Sequence, residues 1–243
     1  MGKGWSINNN FGENKKIKEN YIFILSFILP MVIMFVVFTA LGVGFIGDKT
    51  IVSSDMYTQY VAYFGKFKDI LSGDGSIFYS FNKSIGGNNI GLFAYYLASP
   101  LNLLLILFPK SAIGEFIFII YLIKIGLASL CFSLYISKVY KKKDLFVVIF
   151  SLCYALMSYN ICFQMNIMWM DGMMLLPLVA LGIEEIILKG KYKLYMIVLF
   201  MVVVSNYYIG YMICIFSVVY FFYKSIIYKK ISLPRTFKFF GAS

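Results

Sequence analysis

Asp55 stands in the string Ser-Ser-Asp-Met-Tyr-Thr-Gln-Tyr (53–60), and Asp171 in Asn-Ile-Met-Trp-Met-Asp-Gly (166–172). An ionised carboxylate can take a proton from an attacking hydroxyl or hold a divalent cation against a phosphate. Asp55 heads a predicted helix, where free N–H groups and the helix dipole keep a carboxylate ionised; its plainer role is that of an N-cap, shared with Ser53 and Ser54. Asp171 lies among apolar neighbours, where a charge is costly without a partner or a purpose. Its plainer role is to cap the helix beginning near Met173. Lys124 is the basic residue inside an apolar run, so its ammonium either meets a lipid phosphate or snorkels to the interface. Trp169, Tyr95 and Tyr96 can stack on a sugar ring or anchor the chain at the membrane interface. Tyr57 and Gln59 beside Asp55, and Asn206, Tyr207 and Tyr208 at a predicted hairpin tip, complete the candidate substrate-binding set.

The chain has no histidine. That removes Ser-His-Asp and Cys-His catalysis and every His-ligated metal, so an acid, base or metal ligand here has to be a carboxylate. Cys131, Cys153, Cys162 and Cys214 lie in or at the ends of apolar runs without CxxC spacing and read as small hydrophobes. Glu184 and Glu185, next to Lys189, read as solvating a helix end.

Of the 243 residues 61% are hydrophobic and 19% aromatic, and the mean hydropathy is +0.82. A soluble core of this size cannot bury so much apolar surface, whereas a bilayer can. The net charge of +11 comes from lysine clusters between apolar runs, which suits cytoplasmic topology signals and anionic lipid rather than nucleic acid. Nucleic acid is therefore not expected as a partner.

The elements that must position these groups follow from length and charge. Tyr21 to Ile46 is about 26 residues, longer than a signal h-region and enough for a retained first helix with Pro30 inside it. Further apolar runs cover Gly91 to Phe108, Ala112 to Ser137, Leu145 to Cys162, Met173 to Leu188, Leu194 to Ser205 and Ile209 to Tyr228. The positive-inside rule places the clusters at Lys15 to Lys18, Lys138 to Lys143, Lys189 to Lys193 and Lys224 to Lys230 in the cytoplasm. That is satisfied when the Gly91 run, with Pro100, Asn102 and Pro109, dips into the outer leaflet instead of crossing. The expectation is an all-α integral membrane protein of about six transmembrane helices with a membrane-hugging external loop. Its parts are a cytoplasmic tail (1–20), a transmembrane module (21–228) holding a first external loop (47–111), and a cytoplasmic segment (229–243). Within the loop, Met56, Tyr60, Val61, Phe64, Phe67 and Leu71 recur at helical spacing, predicting an amphipathic helix lying on the outer membrane surface. The loop also carries Lys49, Lys66, Lys68, Lys83 and Lys110.

A run of motifs in order resembles one family. Ser-Asp-Met-Tyr-Thr-Gln-Tyr (54–60), Tyr-Ser-Phe-Asn (79–82), Gly-Gly-Asn-Asn (86–89), Tyr-Tyr-Leu-Ala-Ser-Pro-Leu-Asn-Leu (95–103), Asn-Ile-Met-Trp-Met-Asp (166–171), Leu-Pro-Leu (176–178) and Asn-Tyr-Tyr-Ile-Gly-Tyr-Met (206–212) resemble the bacterial YfhO membrane proteins of Gram-positive organisms. The resemblance runs from about Tyr21 to Tyr228. It implies a GT-C-like fold and a glycosyltransferase that takes a sugar from a polyprenyl-phosphate donor on the outer face of the membrane. The implied acceptor is a cell-envelope polymer such as lipoteichoic acid. It further implies that Asp55 is the essential carboxylate of the first external loop, as general base or as holder of a divalent metal, with Asp171 a second acidic member. Lys124 would meet the carrier phosphate. Family members are typically several times longer, so the chain is expected to be an N-terminal fragment. Two other classes stay open: a transporter or flippase of an envelope lipid, which Lys124 and the break at Pro100 also suit, and a non-catalytic partner subunit.

Overall fold

The computed structural model describes residues 9–45, 47–81, 85–230 and 232–243, with side chains described from residue 20 onward. Residues 1–8 of the expected tail, the side chains of Lys15, Lys16 and Lys18, and Lys83 lie outside the described residues. Among the described residues the chain is helical apart from one two-residue hairpin rung, β1 (Tyr79–Ser80) against β2 (Gly87–Asn88), and an isolated bridge between Val43 and Lys49. The helices are α1 (Asn9–Ala40), α2 (Val61–Ser72), α3 (Ile90–Leu92), α4 (Ile113–Tyr140), α5 (Leu145–Ala155), α6 (Ser158–Cys162), α7 (Met170–Lys189), α8 (Lys193–Ser205), α9 (Tyr207–Ile227) and α10 (Leu233–Phe240).

α4 and α7 are the central pair. α1 and α5 pack on α4, and α8 and α9 pack on α7. Close approach needs small residues: a Cβ at Gly126 would fall 2.8 Å from Met31, and one at Gly172 would collide with Ile209. Those two glycines bring α1 onto α4 and the start of α9 onto the start of α7, as small residues do between helices in membranes. Large apolar side chains on the outer faces stay exposed, among them Phe200, Val219 and Ile226, which marks a surface meant for lipid.

Among the described residues, three helical stretches are long and apolar enough to cross a bilayer: Asn20–Ala40, Lys110–Tyr140 and Tyr207–Ile227. The other three expected crossings are built differently. The Leu145 to Cys162 run is not continuous, because α5 ends at Ala155 and α6 begins at Ser158. α8 has 13 residues, short of the roughly 20 a span needs. α7 has 20 residues but carries Asp171, Glu184 and Glu185.

The Gly91 run breaks as its prolines predict. Ile90–Leu97 and Pro100–Leu107 meet at 87°, with Ser99 at the corner. Asn102 Nδ2 donates to the carbonyls of Tyr96 (3.4 Å) and Leu97 (3.1 Å), satisfying the end freed by the break. The expected amphipathic helix is present, but its apolar stripe faces protein. Met56, Tyr60, Phe64 and Phe67 are buried in one cluster with Phe116, Ile117, Tyr121 and Leu105. The lipid surface expected beneath α2 is replaced by α4 and the broken segment, since burying four large side chains against close-packed protein satisfies the same stripe. Its polar face is tied down too: Lys68 Nζ donates to the carbonyls of Leu105 (3.3 Å) and Ile106 (2.7 Å), and Asp69 pairs with Lys110.

At the opposite end of the bundle Glu184 is buried, contrary to its reading as a solvated charge. It pairs with Lys224 (2.8 Å) and accepts from Tyr220 (3.0 Å), which shares a 2.9 Å hydrogen bond with Tyr135. Helical spacing turns Glu184 inward while Glu185 points out to Lys189.

Candidate functional site

The motifs that lie far apart in sequence meet at the Asp55 end of the bundle. Tyr95, on the broken segment, is the hub. Its hydroxyl accepts from Trp169 Nε1 (3.2 Å), and its carbonyl accepts from Asn206 Nδ2 (2.7 Å). Its ring lies 4.7 Å from Tyr96, 5.7 Å from Tyr207 and 6.2 Å from Tyr208, all edge-on or tilted, the geometries aromatic quadrupoles favour. Tyr96 extends the shelf: its hydroxyl donates to Gln59 Oε1 (3.2 Å), and its ring meets Tyr60 (5.3 Å) and Tyr63 (4.8 Å). Tyr60 in turn donates toward Asn166 Oδ1 (3.2 Å) and Met168 Sδ (3.1 Å). Asn206 also caps α9, with Oδ1 accepting from Ile209 N (2.9 Å). Its polar atoms are thus occupied in holding the hairpin tip against Tyr95.

Asp55 stands at the edge of this shelf and is exposed. It does not act as a side-chain cap: its backbone is already helical (φ −60°, ψ −26°), and its carboxylate makes no capping bond. The turn is made before it, at Ser54, whose φ of +50° is rare for a residue with a side chain. Burial raises the pKa of the Tyr60 hydroxyl, and the neighbouring Tyr96, Tyr95 and Asp55 add to the shift. Burial likewise raises Tyr96, followed by Tyr63, Tyr95 and Asp55. Both phenols therefore stay protonated beside the carboxylate and can donate hydrogen bonds. Tyr57 is 73% exposed on the same turn.

Lys124 and Asp171 lie beneath the shelf and pair with each other. Lys124 Nζ is 2.7 Å from Asp171 Oδ2 and donates to Ile167 O (2.9 Å); Ser99 Oγ donates to Asp171 Oδ1 (2.8 Å). The two side chains are 1% and 2% exposed. One ion pair thus joins α4, α7 and the corner of the broken segment. Sequence reasoning placed these residues on one side of the membrane but not in contact, and it passed over Ser99, Tyr60, Tyr63 and Asn166. Ser99 had one usable signal, a hydroxyl immediately before the proline that forces the break.

The family whose sequence profile matches residues 26–243 is described as bacterial membrane protein YfhO. The chain belongs to the YfhO family. No curated protein and no solved structure matches it. In this YfhO chain no group of three or more His, Cys, Asp or Glu residues among the described residues is placed to hold a metal ion. A divalent cation at Asp55 therefore fits only in the shared form, with one carboxylate from the protein and the remaining ligands from a substrate phosphate and water.

Proposed function

We propose that this YfhO chain carries the donor end of a GT-C type glycosyltransferase, which moves a sugar from polyprenyl phosphate to a cell-envelope polymer such as lipoteichoic acid on the outer face of the membrane. The observation that carries the reading is Asp55: an exposed carboxylate at a sharp turn, beside a shelf of tyrosines and Trp169 joined by hydrogen bonds. An aromatic shelf offers a face on which a pyranose can stack, and an adjacent carboxylate can take the proton of an acceptor hydroxyl. The hydroxyl oxygen attacks the anomeric carbon as the bond to phosphate breaks. The lipid phosphate leaves with the electron pair, and the anomeric configuration inverts. A metal shared between Asp55 and the donor phosphate would neutralise the leaving charge. Gln59, Tyr95, Tyr96, Trp169, Tyr207 and Tyr208 supply the surface for the sugar. Lys124 and Asp171 act as positioning residues, because their charges are already matched against each other.

The buried pair Lys124–Asp171 and the pairing of buried Glu184 with partly exposed Lys224, toward the two ends of the bundle, favour a second reading, a transporter or flippase of an envelope lipid. Sealed vesicles loaded with radiolabelled polyprenyl-phosphate sugar separate the two. The enzyme moves label onto the polymer, whereas a flippase moves intact labelled lipid between leaflets without transfer.

A further inference from the structure

At the end of the bundle away from Asp55, α4 and α5 diverge around a cavity of about 550 Å³. Its walls are Phe132, Tyr135 and Ile136 from α4 with Phe146, Val147 and Phe150 from α5, and its rim is the turn carrying Lys142 and Asp144. Phe146 and Phe150 are exposed on the outer face of the bundle, so the cavity opens sideways where acyl chains run. The volume lies in the range of small-ligand sites.

We propose that this groove is a binding site for one anionic phospholipid, with an acyl chain between α4 and α5 and its phosphate at Lys142. Charge complementarity selects this occupant. Lys141, Lys142 and Lys143 line the turn in sequence, and Lys141 is held at φ +55°, a conformation that presents the turn as a tight corner. Asp144 shares the rim with its Oδ1 buried and offsets part of that charge, while the exposed Lys141 and Lys142 leave the corner net positive toward a headgroup. Basic clusters at a membrane end draw anionic headgroups, and an apolar slot directly below fixes the chain that follows. The back of the groove is firm: Tyr135 hydrogen-bonds Tyr220, which donates to Glu184, so its wall is tied to α7 and α9.

The test is photo-crosslinking of the full chain in nanodiscs with phospholipids carrying a diazirine in the acyl chain, as phosphatidylglycerol or phosphatidylcholine, with the adducts mapped by peptide. The expected result is adducts concentrated on 132–150, favouring phosphatidylglycerol by about fivefold, and a Lys142→Gln variant that loses most of that preference while still being labelled by both lipids. Lys142 is exposed, so the substitution leaves the fold intact. Labelling spread evenly over the lipid-facing residues of α8 and α9, or no headgroup preference in the unaltered chain, would overturn the proposal. Cross-links joining the groove to another polypeptide would overturn it as well, because the occupant would then be protein.

Discussion

Lys124 Nζ lies 2.7 Å from Asp171 Oδ2, with both side chains sealed from solvent and Ser99 completing the set from the corner of the broken segment. The pair fixes the floor of the aromatic shelf, because Trp169 precedes Asp171 by two residues and Tyr95 precedes Ser99 by four. Breaking such a pair from one side leaves a bare buried charge and costs about 3–5 kcal/mol, whereas replacing both partners by apolar residues is close to neutral. Lys124→Met or Asp171→Leu alone should therefore lower the thermal midpoint sharply in detergent, and the double variant should recover most of the loss. Equal midpoints for all three would show that the pair holds nothing together.

Ser99→Ala removes one hydrogen bond to a charged acceptor, worth about 1.5–3 kcal/mol. A smaller drop in midpoint than that of Asp171→Leu is expected. Sugar transfer should fall with it, because Ser99 sets where Tyr95 and Tyr96 sit.

Phe64 is 1% exposed under α2, so Phe64→Ala should cost about 3–5 kcal/mol. Were α2 lying on lipid, the same change would be nearly silent in the thermal midpoint and would instead weaken contact with the membrane.

The class of the protein and its broken segment were legible in composition and in Pro100 and Pro109, because these follow from the bilayer's own demands on apolar surface and backbone. The partner of each buried group was not. A stripe such as Met56, Tyr60, Phe64 and Phe67 shows that one face must leave water, but lipid and protein satisfy it equally. Lys124 and Asp171 are 47 residues apart, and only the packing of α4 on α7 makes them neighbours. Glu184 and Glu185 are adjacent in sequence, and the helix turn alone decides which is buried.

Tyr95 offers both a ring and a hydroxyl. Tyr95→Phe should keep the ring contacts and lose only the bond from Trp169, a change of about 0.5–1.5 kcal/mol, with KM for the donor little altered. Tyr95→Ala should raise KM severalfold, since the shelf loses its hub. Equal kinetics for the two variants would separate the shelf from the sugar.

The central claim rests on the carboxylate of Asp55, and Asp55→Asn tests it most directly. Asn preserves size and helix-end preference, and Asp55 makes no capping bond to lose. Transfer of a labelled sugar from polyprenyl phosphate to envelope polymer should fall by at least about 100-fold in membranes carrying the Asn variant at unchanged protein level. Transfer at the unaltered rate would contradict the assignment of Asp55 as base or metal holder.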